Sequence, residues 1–176
     1  MIFHPTPLAG AFVIELEPRG DARGSFARTY CAREFAEHGI SMNVAQCNLS
    51  VNRVKGTLRG MHFQVAPHAE AKLVRCAQGA MWDVIVDLRP GSPTCRQWFG
   101  ETLSADNNRM MMIPEGFAHG FITLTDDVSV FYQMGAFYHP EAQSGMRWDD
   151  PAIGIQWPAQ PVVIADKDLA WPLLQP

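Results

Sequence analysis

No run of apolar residues in this chain approaches the roughly 18 that a membrane-spanning helix requires. One-sided charge is missing too: 14 Lys and Arg stand against 18 Asp and Glu, a formal charge of −4 with no basic block and no acidic tail. Neither nucleic acid nor an anionic membrane surface is an expected partner. The four cysteines, Cys31, Cys47, Cys76 and Cys95, are far apart and form no CxxC pair, and no basic-then-apolar leader opens the sequence. A reduced, cytoplasmic protein is the expectation. Helical periodicity is scarce: only Cys31–His38, ended by Gly39, carries it, with Ala32, Phe35 and Ala36 on one face.

What is present is a succession of short strand patterns: 11–16, 44–51, 58–63, 72–77, 80–88, 100–103, 109–113, 118–124, 128–134 and 145–148. Turn signals separate them, notably Lys55-Gly56, Gln78-Gly79, the ProGlySerPro of 90–93 and the ProGluGly of 114–116. The ArgGly pairs at 19–20 and 23–24 read as a turn. Many short strands with almost no helix predict an all-β fold, a jelly roll with short peripheral helices, and 176 residues suit a single domain. The stretch from Trp148 holds five of the 13 prolines and is expected to wrap the body. The strand Met81–Leu88 is apolar on both faces around Asp83 and Asp87, as in a strand buried on both sides or at a subunit interface. The two acids are expected to be structural partners of Arg75 or Arg89.

The densest polar cluster lies in Gly56–Gly79. Gly56 and His62 have five residues between them, and Pro114, Gly116 and His119 form PxGxxH. This resembles the two motifs of the cupin superfamily, jelly rolls that usually hold one metal on three His and a Glu. The matching positions here are His62, Gln64, Lys72 and His119. A Gln is a weak ligand and an ammonium offers no lone pair, so no metal and no cofactor are expected. His68 and His139 lie in turns and are given no role.

A His and a Lys in one pocket suit another chemistry. A neutral imidazole removes a carbon-bound proton acidified by an adjacent carbonyl, and an ammonium stabilises the enolate that develops. Return of a proton on the opposite face is epimerisation, which requires a second acid. Tyr138, in FYHPE, is the candidate.

The strings RGSF (23–26), QCNLS (46–50), GTLRGMHFQ (56–64), KLVRCAQGAMWDVIVDLR (72–89), IPEGFAHGF (113–121), FYHPE (137–141), RWDDPAIGIQWP (147–158) and DKD (166–168) are together similar, in order, to the dTDP-4-dehydrorhamnose 3,5-epimerase family. The resemblance implies that His62 is the base, Asp168 orients it, Lys72 stabilises the enolate and Tyr138 is the opposing acid. It implies that Arg23, Arg59 and His119 hold the diphosphate and nearby sugar groups, while Phe26, Gln46, Asn48 and Lys167 line the nucleotide site. Tyr132 is a further substrate-binding candidate, with a role as a core aromatic weighed equally against it. The family members are metal-free homodimers with a strand crossing between subunits. Their substrates are nucleotide-diphosphate-linked 4-keto-6-deoxy sugars, inverted at C3, C5 or both.

One departure stands out: Arg28 occupies a position where the family usually carries Glu. If that Glu reads thymine, an Arg there favours a CDP or GDP carrier over dTDP. Two alternatives remain open on the sequence: a 3,4-ketoisomerase on the same substrates, and a non-catalytic cupin that binds a sugar nucleotide.

Overall fold

A computed structural model describes residues 1–174. The core strands form two sheets. The first runs in the order β1 (Ile2–Pro5), β2 (Phe12–Glu15), β10 (Arg109–Ile113), β7 (Lys72–Gln78), β12 (Val128–Met134) and β5 (Gln46–Asn52). The second runs β13 (Gln143–Gly145), β6 (Thr57–Gln64), β11 (Phe117–Thr123), β8 (Ala80–Asp87) and β9 (Trp98–Ser104), with β14 (Val163–Ile164) added parallel to β6. Every other pairing is antiparallel, and the double sheet is a cupin-type jelly roll. No helix among the described residues is long and apolar enough to cross a membrane.

Alternation along the strands builds three apolar layers. In β10, Met111 and Ile113 point between the sheets to join Val74, Cys76, Ile85, Phe117 and Val130. Met110 and Met112 point outward against Phe35, Ile40 and Met42. Phe35 comes from α1 (Ala32–Glu37), the helix expected from the sequence, and its burial contributes about 1.5–3 kcal/mol. Gly39 (φ +74°) ends this helix by passing its N–H to Ala36 O while Ile40 donates to Phe35 O, a Schellman close that brings Ile40 onto the sheet. The third layer explains the doubly apolar strand β8. Its Val84 and Val86 face outward but are covered by Met146, Ile153 and Trp157 of the chain's own later segment.

Several elements depart from the expectations: the strand expected at 145–148 is instead β13, ending at Gly145, and β14 falls in the stretch expected to be irregular. The supposed turn at 19–24 is a two-stranded ribbon, β3 (Arg19–Asp21) with β4 (Gly24–Phe26), and all six of its strand residues are exposed. An N-terminal strand, β1, pairs with β2. A short helix, α2 (Asp166–Leu169), follows β14.

The contact of β6 with β11 is irregular. His119 pairs with His62 but Phe121 pairs with Arg59, so the register slips by one residue around Gly60 and Gly120. A Cβ on Gly120 would meet Met61 Sδ at 2.6 Å and Arg59 O at 2.8 Å. Gly60 (φ +135°) faces Gly120 Cα at 2.6 Å from its own would-be Cβ. Gly120→Ala is therefore expected to lower stability by about 1–3 kcal/mol, the usual cost of overpacking. Urea unfolding measures it, and an unchanged midpoint would mean that the two strands can separate freely.

Candidate active site

The slip at Gly60 has a local purpose. Positions 59 and 62 differ by an odd number, so a regular strand would send their side chains to opposite faces. With the bulge, Arg59 and His62 both line one cavity of about 420 Å³ at the open end of the two sheets. From β5 come Gln46, Asn48 and Ser50, from β7 Lys72, from β11 His119 and Phe121, and from β12 Tyr132 and Met134. Tyr138 and Gln143 arrive from the segment after β12, and Lys167 from α2.

His62 is partly exposed and Asp168 is buried behind it, with Nε2 of His62 lying 2.7 Å from Oδ1 of Asp168. Oδ2 of Asp168 accepts the Gly60 N–H at 3.1 Å. Burial alone would raise the Asp168 carboxyl, but His62 and the Gly60 N–H hold it below the ordinary carboxylate range. With Nε2–H committed to Asp168, Nδ1 is the basic nitrogen of the ring.

A second pair lies on the neighbouring strand, where His119 is the register partner of His62. Nε2 of buried His119 is 2.7 Å from Oδ1 of Asp83, whose Oδ2 has no hydrogen-bond partner among the described residues. Burial pushes the Asp83 carboxyl up, against the pull of His119 and Lys72. The expected pairing of Asp83 with an arginine is thus incorrect, because the strand turns this acid inward beneath His119. Asp87, four residues on, does bind Arg89, at 2.8 Å.

The Lys72 ammonium pairs with Glu70 at 2.8 Å and donates to His62 O at 3.4 Å. Glu70, in the cavity wall, carried no distinguishing signal in the sequence. Arg59 donates from Nε to Asn52 Oδ1 at 2.7 Å. Neither Arg59 nor Lys167 has a carboxylate within ion-pair distance among the described residues, so both are available to an anion. Burial pushes the Tyr132 phenol well up, which keeps it a neutral donor. Tyr138 is 54% exposed, and its hydroxyl donates to Gln143 Oε1 at 2.9 Å. Gln46 Oε1 accepts the Tyr138 N–H. Of the four cupin positions, Gln64 is spent elsewhere: it accepts the His139 N–H at 2.7 Å and donates to Phe137 O and Glu70.

Asp168 meets the cavity only through His62, and three further sequence candidates do not line it. Arg23 sits on the exposed ribbon in an ion pair with Asp21, and Phe26 is 80% exposed. Arg28 is paired with Glu34, and with Phe26 it borders a separate depression beside Met1 and Glu17.

A cupin jelly roll with an imidazole–carboxylate pair, an ammonium and a phenol around one cavity defines a class built for proton transfer at carbon. The comparisons agree with that class. A family model described as dTDP-4-dehydrorhamnose 3,5-epimerase matches residues 5–176. A dTDP-4-dehydrorhamnose 3,5-epimerase of Methanothermobacter thermautotrophicus is 46% identical over 96% of this chain and 92% of its own. The crystal structure of a Bacillus anthracis dTDP-4-dehydrorhamnose 3,5-epimerase with TDP and pyrophosphate bound is 41% identical, with a TM-score of 0.95 over 98% of this chain and 99% of that one. A Legionella pneumophila dTDP-6-deoxy-D-glucose-3,5-epimerase in complex with dTDP-4-keto-L-rhamnose is 38% identical, with a TM-score of 0.92 over 98% and 92% of the two chains. The chain belongs to the dTDP-4-dehydrorhamnose 3,5-epimerase family.

The lowered carboxyls fix the sign of one pH response. Asp168 contributes stability that is fully present above its unfolded value, near 3.8, and is lost as pH falls through its lower folded value. The urea midpoint of the protein should therefore drop steeply below about pH 4. In Asp168→Asn the drop should be shallower, and equal slopes would show that the pair adds nothing to acid stability.

Proposed function

We propose that this chain inverts C3, C5 or both of a dTDP-linked 4-keto-6-deoxy sugar by proton transfer through an enolate. The observation that carries the reading is the His62–Asp168 pair facing Lys72 and Tyr138 in one cavity. His62 Nδ1 takes the proton from the carbon next to the C4 ketone, and the electron pair moves into the carbonyl. The Lys72 ammonium stabilises the enolate oxygen. Tyr138 gives its hydroxyl proton to the opposite face, forming the new C–H bond, and solvent restores both groups. Arg59, Lys167 and His119 hold the diphosphate and the sugar, Tyr132 donates to the substrate, and Gln46 and Asn48 border the nucleoside.

Two features bear on the nucleotide. Arg28, on which the expectation of CDP or GDP rested, lies outside the cavity and is paired with Glu34. The relatives' names specify dTDP sugars. We therefore infer dTDP as the carrier.

We further infer a homodimer in which the ribbon of one protomer supplies Arg23 and Phe26 to the cavity of its partner. Two observations support it. All six strand residues of the ribbon are exposed, and β5 is an edge strand whose outward residues, Cys47, Leu49 and Val51, are exposed too.

Incubation with substrate in deuterated water, read by NMR, tests the chemistry and counts the inverted centres. His62→Ala should abolish C–H exchange. Tyr138→Phe should retain exchange while inversion falls by about 10²–10⁴. Undiminished exchange in the His62 variant overturns the mechanism. Light scattering should give twice the chain mass for the wild type and one chain mass for Leu49→Asp. Calorimetry should rank dTDP above CDP and GDP, with weakened dTDP binding in the monomeric variant. Tightest binding of CDP or GDP would return the specificity to Arg28.

A further inference from the structure

Two histidines that the proton-transfer chemistry leaves unused come together beside Tyr138. His68 lies in the connection from β6 to β7, and His139 follows Tyr138 directly. Their rings stack with centroids 3.6 Å apart and planes inclined by 23°. Nδ1 of His139 is 3.0 Å from Oε1 of Glu141. One ligating atom from each of His68, His139 and Glu141 lies within 4.8 Å of the other two. From the geometry we propose that these three residues form a binding site for a divalent transition cation of the Zn²⁺ class, distinct from the cavity chemistry and stapling the two loops together.

Donor type is the first argument. Two imidazoles and one carboxylate are the ligand set of open, three-ligand zinc sites, and Co²⁺, Ni²⁺ and Cu²⁺ accept the same atoms. Spacing is the second. Bonds of about 2.0–2.1 Å in a tetrahedron place neighbouring ligands roughly 3.3 Å apart. The His139–Glu141 separation is already close to that edge, and the ligating atom of His68, within 4.8 Å of both, reaches it by side-chain rotation that opens the ring stack so that the two imidazole lone pairs converge. Water can complete the shell, because Glu141 is exposed.

The third argument is preorganisation. A metal gains most from ligands whose main chain is already fixed, since less freedom is lost on binding. Here one buried amide fixes both loops: Gln64 donates to His68 O at 3.0 Å and to Phe137 O at 3.1 Å, and accepts the His139 N–H at 2.7 Å. The carbonyl of His68 and the backbone on either side of Tyr138 therefore share a single anchor. A cation bridging the two imidazoles would stiffen the segment that carries Tyr138.

Reduced, tag-free protein without substrate is titrated with Co²⁺ by absorbance and with Zn²⁺ against a chromophoric chelator. One ion per chain is expected, with tetrahedral d–d bands and no thiolate charge-transfer band. His68→Ala and Glu141→Gln, neither of them part of the proton-transfer set, should each weaken binding more than about tenfold, the lower end of what even a lost supporting group does to metal affinity. Zn²⁺ should raise the thermal midpoint of the wild type and leave that of His68→Ala unmoved. No binding, equal affinity in His68→Ala, or a thiolate band placing the ion on a cysteine such as exposed Cys47 would each overturn the proposal.

Discussion

The register slip between β6 and β11 is the constraint on which the site rests. A sheet alternates its side chains strictly, so a guanidinium at 59 and an imidazole at 62 cannot face one cavity unless the pairing gains a residue between them. Two glycines meet at that point because the strands approach too closely for a Cβ on either side. The same backbone irregularity offers the Gly60 N–H to Asp168, so the device that re-aims His62 also seats the carboxylate that orients it.

Around that strand, charge is arranged in pairs with a purpose. His62 has Asp168, His119 has Asp83 and Lys72 has Glu70, each partner buried or nearly so. Burying a lone charge costs several kcal/mol, so a polar cavity in an apolar barrel is stable only if its members satisfy one another. Arg59 and Lys167 stand outside these pairs, and a bound diphosphate would complete the balance. Tyr132, whose phenol stays neutral, adds a donor without adding charge.

Much of this was legible in the sequence, for physical reasons that differ by element. Strands β7, β8, β10 and β12 were plain because a strand inside a double sheet must be apolar on alternate or both faces. The ribbon β3–β4 was misread as a turn because an exposed strand buries nothing and leaves no periodicity. His62, Lys72 and His119 followed from motif spacing and Tyr138 from the acid the chemistry requires, whereas Asp168, 106 residues from His62, came only from family resemblance. Glu70 and the true partner of Asp83 were beyond reach, since local sequence does not record which inward-facing groups meet across a barrel. Arg23, Phe26 and Arg28 were chosen by the same resemblance, and a single chain leaves them outside the cavity.

The distance in sequence between His62 and Asp168 has a temporal meaning as well. At a synthesis rate of about 5–20 residues per second, a span of 106 residues corresponds to roughly 5–20 s. Every strand from β7 to β14 is synthesised in that interval, before the carboxylate is. The imidazole's partner is thus added only after every strand of the barrel, so an oriented base marks a polypeptide whose translation has run through α2.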